Sequence, residues 1–110
     1  MIFALVSFIM RASAYDFLSG NLLYSINNTN TTEVILVGHV DGTAAQGELV
    51  IPQTVNHEGV DYTVTIIGKR AFFGCQSLTG SLVIPNSIVE IMPGAFYNCT
   101  GLTGDCPSDN

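Results

Sequence analysis

Positive charge is nearly missing from this sequence: 110 residues carry three Lys and Arg against nine Asp and Glu, for a formal charge of −6. Nucleic-acid binding rests on a basic footprint that neutralises phosphates, and none exists here. The same shortage disfavours attachment to anionic membrane surfaces. Charged residues of both signs make up only 11% while apolar residues make up 47%, which excludes an ordinary disordered tail and suits strands shielded on both sides. Cysteine is sparse, and no Cys-x-x-Cys pair is present, so the zinc signal is very weak. No Gly-x-Ser-x-Gly elbow accompanies the two histidines, and the eleven glycines punctuate turns rather than cradle a phosphate. No catalytic residue, cofactor site or metal site is therefore expected. His39 flanks a strand end and His57 sits in a turn, where solvated or locally hydrogen-bonded imidazoles suffice.

What is present is repetition. Ala71-Phe72-Phe73-Gly74-Cys75-Gln76-Ser77-Leu78-Thr79-Gly80 returns as Ala95-Phe96-Tyr97-Asn98-Cys99-Thr100-Gly101-Leu102-Thr103-Gly104, identical at six of ten positions with an offset of 24. Ile67 and Ile91 keep that offset. Leu49-Val50-Ile51-Pro52 echoes in Leu82-Val83-Ile84-Pro85 at an offset of 33, so nine extra residues fall near 56–64. A period in the twenties implies a solenoid of short coils, each too thin to bury its own apolar face. Stacked rungs are expected between Phe72 and Phe96, Leu78 and Leu102, and Ile51 and Ile84.

These spaced residues, an Ile-Pro strand end followed by Ala-Phe-x-x-Cys-x-x-Leu, resemble the BspA-type leucine-rich repeat over residues 49–104. The resemblance implies a secreted or surface protein of the kind found in gut and oral bacteria and some protists, with an adhesive role. Two features depart from the pattern. Ile91-Met92-Pro93 stands where Ile-Gly is usual, and Pro93 removes a backbone donor. Only two repeats are legible, fewer than such proteins generally carry.

The expected fold is mainly β: a short solenoid of two repeats of about 24 residues, preceded by an N-terminal β-hairpin cap. In chain order, residues 1–14 read as a secretory signal peptide. Ile2–Met10 is a nine-residue apolar run followed by Ala12-Ser13-Ala14, although no basic residue precedes it and Arg11 lies on the far side. An N-terminal strand or helix is the alternative. The run is too short to span a bilayer, which takes roughly 20 residues. Residues 15–46 form the cap, with strands around Leu22–Ile26 and Glu33–Val40 about an Asn-Thr turn. Residues 47–104 hold the repeats: strands at Glu48–Ile51, Val60–Ile67, Leu82–Ile84 and Ile88–Ile91, short helical turns at Ala71–Phe73 and around Ala95-Phe96, and a hairpin projecting near 56–64. Residues 105–110 are a tail, with no capping repeat.

Cys75 and Cys99 share one repeat position and read as a ladder of small buried thiols; a disulfide or a metal are the alternatives, and Cys106 leaves an odd count. Asn27, Asn30 and Asn98 begin Asn-x-Ser/Thr sequons, which matter only in a host that glycosylates asparagine. Lys69-Arg70 is the one basic pair, a solvated turn or a contact for an acidic partner. The functional expectation is a non-enzymatic, secreted or surface-exposed module that binds a protein or glycan on a host or neighbouring cell, without membrane insertion of the mature chain. The alternative is a fragment or capping piece of a longer repeat protein, and end-to-end self-association would follow from a missing cap. A polar C-terminal face with aromatic residues clustered on one exposed surface would favour the binding module, and an exposed apolar patch at the C-terminal coil would favour the fragment.

Overall fold

The computed structural model describes residues 15–103. The signal-peptide reading of 1–14, the tail at 105–110 and Cys106 lie outside the described residues. The described residues form nine strands: β1 (Phe17–Ser19), β2 (Leu22–Ile26), β3 (Glu33–His39), β4 (Gly47–Glu48), β5 (Thr54–His57), β6 (Val60–Ile67), β7 (Leu78–Ser81), β8 (Glu90–Ile91) and β9 (Leu102–Thr103). A single 3-10 turn covers Gly42–Ala44, and the described residues contain no α-helix.

The N-terminal strands form because apolar residues alternate there. In β3, Val34, Leu36 and Gly38 face inward while Ile35 and Val37 are half-exposed, the period-2 signature of a strand. The β2–β3 turn is closed by its own side chains. Asn27 Oδ1 accepts from both the backbone N–H and the hydroxyl of Thr29, at 2.9 and 2.8 Å, and Asn30 Oδ1 does the same for Thr32. β1 was not legible in the sequence. It pairs antiparallel with β2, from Phe17↔Tyr24 to Ser19↔Leu22.

Two sheets follow the solenoid. The first runs β1-β2-β3-β6-β5, and β8 shares the second edge of β6 with β5. Within it, β3, β6 and β8 are mutually parallel in sequence: Leu36 pairs with Ile67, and Ile67 with Ile91. The second sheet is β4-β7-β9, parallel throughout. Residues 33–48 therefore trace the same strand–turn–strand path as the two repeats, and the division expected at Gly47 coincides with no break in pairing. The 3-10 turn at Gly42–Ala44 holds the place of the Ala-Phe-Phe turn. Ala45 N–H donates to Gly42 O just as Cys75 N–H donates to Phe72 O and Cys99 N–H to Phe96 O.

Several expected elements differ from the outcome. The Ala71–Phe73 segment is a chain of i→i−3 turns rather than a helix, and its hydrogen bonds recur 24 residues on at Ala95, Tyr97 and Cys99. Left-handed backbone positions recur too: Arg70 (φ 56°) matches Gly94 (φ 76°), and Gly74 (φ 72°) matches Asn98 (φ 67°). The strands expected at Glu48–Ile51 and Leu82–Ile84 end or lie earlier, at Gly47–Glu48 and Leu78–Ser81. Leu49, Ile51 and Leu82 do point inward and Ile84 is half-buried, but alternation reports which face is buried, not whether a backbone edge finds a partner. The Ile88–Ile91 strand narrows to Glu90–Ile91, although Val89 N–H and Met92 N–H extend its bonding to Thr65 O and Ile67 O.

The inserted segment is the β5–β6 hairpin, turning at Glu58-Gly59 with φ 53° and 85°, the positive pair of a type I′ turn. It does not project. It lies in the first sheet, and the His57 ring stacks on Phe17 at 4.1 Å and 5°. The core runs continuously from Phe17 and Tyr24 through Leu36, Val64 and Ile67 to Phe72, Leu78 and Phe96.

Candidate interaction surfaces

Stacking of equivalent turns decides what the surface offers. Consecutive residues in each turn face opposite ways. Phe72 and Phe96 are fully buried and stack at 5.5 Å and 6°, as the repeat offset implied. Phe73 and Tyr97 stack outside at 5.4 Å and 13°, and remain 41% and 48% exposed. This outer pair was visible in the sequence as an aromatic at the same repeat position, but its exposure was not. Leu78 is buried and Leu102 half-buried against the core, although the backbone pairs Leu102 with Gly80.

Beside the outer pair lie Lys69 and Arg70, the only Lys and Arg among the described residues. The Arg70 guanidinium carbon sits 5.4 Å from the centroid of the Phe73 ring, within cation–π reach. Its backbone N–H donates to Pro93 O at 3.2 Å, which ties it to the next coil. With Pro93 and Gly94 these four side chains line an open groove of about 300 Å³. On a chain of net charge −6, this corner is a local reversal of sign joined to an exposed aromatic surface. It can hold a partner that presents an apolar group next to a carboxylate.

The other singled-out residues have local roles. Cys75 and Cys99 are buried, and each thiol donates to the carbonyl of the preceding coil, Gly42 O at 3.3 Å and Phe72 O at 2.9 Å. Burial pushes the Cys75 thiol up. His39 Nδ1 accepts from Asp41 N–H, while His57 lies against Phe17 and 3.7 Å from Glu58. Among the described residues no group of three or more His, Cys, Asp or Glu converges as a metal would require. Asn98 occupies the left-handed turn position, which Asn tolerates better than most residues. Val50 and Val83, equivalent by the Leu-Val-Ile-Pro echo, are 71% and 72% exposed and line a smaller groove of about 210 Å³.

Parallel coils, an in-register ladder of turns and a continuous side-chain core define a leucine-rich-repeat solenoid. Residues 54–104, just under half of the chain, match the family described as a BspA type leucine rich repeat region of six copies. That segment belongs to the BspA-type leucine-rich repeat family. Among solved structures, the chain is similar to a leucine-rich repeat protein from Bacteroides ovatus: 30% identity, TM-score 0.67, covering 80% of this chain and 22% of that one. It is also similar to a leucine rich cell surface protein from Faecalibacterium prausnitzii, at 25% identity and TM-score 0.65 over 88% of this chain and 26% of that one. A leucine-rich repeat protein from Bacteroides capillosus matches at 27% identity and TM-score 0.62, over 79% and 61% of the two chains. The chain thus spans about a quarter of the length of the first two proteins. No curated protein is significantly similar to it.

Proposed function

We propose that the chain is a non-enzymatic binding module of a secreted or cell-surface leucine-rich-repeat protein, and that it engages an acidic segment of a partner protein at the Phe73–Tyr97 corner. The observation that carries this reading is the stacked, half-exposed aromatic pair beside Lys69 and Arg70. Stacked rings supply rigid contact area at low entropic cost, and the two cations select the sign of the partner. The cell-surface description of the Faecalibacterium relative and the apolar run Ile2–Met10 support an extracellular location. In this reading β1 and β2 act as the cap of the solenoid, covering the edge of β3 that would otherwise be open to another strand.

Surface plasmon resonance of the full chain against synthetic peptides that alternate Asp or Glu with Pro, Phe or Tyr tests the reading. Tyr97→Ala should weaken binding by about 1 kcal/mol or more, as expected of an aromatic anchor. Lys69→Ser with Arg70→Ser should weaken it and flatten its salt dependence. Binding that is indifferent to all three changes, or equal binding of control peptides with Lys in place of each Asp or Glu, would place the partner surface elsewhere.

A further inference from the structure

A second groove, of about 540 Å³, lies between the β1–β2 turn and the segment from Glu48 to Asn56. Its lining includes Tyr24, which is 1% exposed and packs against Phe17 at 5.4 Å. The Tyr24 hydroxyl has no hydrogen-bond partner among the described residues. Burying a hydroxyl without a partner is costly, and folded proteins satisfy such groups with protein, water or ligand. The groove also carries His39, Glu48 and Asn21. His39 Nδ1 is occupied as an acceptor by Asp41 N–H, so the neutral ring carries its proton on Nε2, which is a donor. Glu48 offers carboxylate acceptors, and the Asn21 amide offers both kinds of group. None of these three groups has another side-chain partner among the described residues. Pro52 and Val55 add an apolar wall.

We infer that this groove holds one residue of a neutral saccharide. A pyranose presents hydroxyls that both donate and accept, together with an apolar C–H face, and the groove offers complements to each. Other ligand classes fit less well. Among the described residues of the lining, Glu48 is the one full charge, and it repels phosphates and carboxylates. A metal would find a single carboxylate, and a nucleobase would find no exposed ring, since the Tyr24 ring is buried. The volume falls within the range of about 300–1,000 Å³ usual for small-molecule sites. The groove is separate from the Phe73–Tyr97 corner and shares no residue with it.

The test is a proton–nitrogen correlation NMR titration of the full chain with the methyl glycosides of glucose, galactose and N-acetylglucosamine at millimolar concentration. At least one glycoside should shift the amide signals of Asn21, His39 and Glu48. Tyr24→Phe, which removes only an unpartnered hydroxyl, should not lower the thermal midpoint and should weaken binding by about tenfold. Methyl glucuronide should bind more weakly than methyl glucoside, and Glu48→Gln, at an exposed residue, should abolish that difference. No shift with any glycoside, shifts unchanged in Tyr24→Phe, or no discrimination against glucuronide would each overturn the inference.

Discussion

The Phe72–Phe96 rung is the point at which stacking of coils can be measured. Both rings are essentially fully buried, and they lie parallel at 5.5 Å. Truncating such a ring to Ala removes its transfer free energy and leaves a cavity, at a cost of about 3–5 kcal/mol. A domain of this size has about 5–15 kcal/mol in total, so either Phe72→Ala or Phe96→Ala should consume about a fifth or more of it. The stacked geometry adds about 0.5–1.5 kcal/mol beyond burial, and that part belongs to the pair rather than to either ring. A double-mutant cycle should therefore return a coupling of about 1 kcal/mol. Urea unfolding followed by far-ultraviolet circular dichroism reads this as lower midpoints at unchanged slope. The outer rung provides the contrast: Phe73→Ala and Tyr97→Ala remove half-exposed rings and should each cost about 1 kcal/mol or less. Equal losses at the inner and outer rungs, or no coupling between Phe72 and Phe96, would refute the assignment of a stacked core.

Three further outcomes are expected. Gly101→Ala should destabilise by about 1–3 kcal/mol, because a Cβ there would overlap the carbonyl oxygens of Leu78 and Gln76 in the preceding coil; the urea midpoint reads this directly. Burial pushes the Tyr24 phenol up from 10.0 to about 12, so the folded chain keeps that proton where the unfolded chain has lost it. Stability should be intact below pH 10, fall by a few kcal/mol as pH rises from 10 to 12, and lose that dependence in Tyr24→Phe, as alkaline melting curves would record. Finally, iodoacetamide should label Cys75 only as fast as the fold opens, because the thiol is buried and its thiolate disfavoured; labelling at the rate of a free thiol, measured by peptide mass spectrometry, would contradict its place in the ladder.

Legibility in the sequence followed side-chain identity. The inner ladder could be read in advance because Phe72 and Phe96, and Cys75 and Cys99, occupy equivalent positions 24 residues apart. The Val60–Ile67 strand was also legible, bounded by Gly59 and Gly68 and rich in β-branched residues. The exposed half of the ladder was only partly legible. The repeat aligned Phe73 with Tyr97, but which of two adjacent aromatics turns outward depends on the backbone path through each turn. The Tyr24 groove was not legible, since its lining comes from segments that meet only after the first sheet closes.

By itself, then, the sequence determined a mainly β chain with repeated turns, a position shared by buried thiols, and a surface with almost no cations. Those properties are local or periodic, and a period is written in the order of the residues. The tertiary structure decided that residues 33–48 run as another pass of the solenoid, with Gly42 and Ala45 in the places taken later by Phe72 and Cys75. It also decided that the inserted hairpin lies within the sheet instead of standing away from it. Both outcomes rest on backbone pairing between distant segments. Backbone N–H and C=O groups are the same in every residue but proline, so such pairing leaves no mark on residue identity.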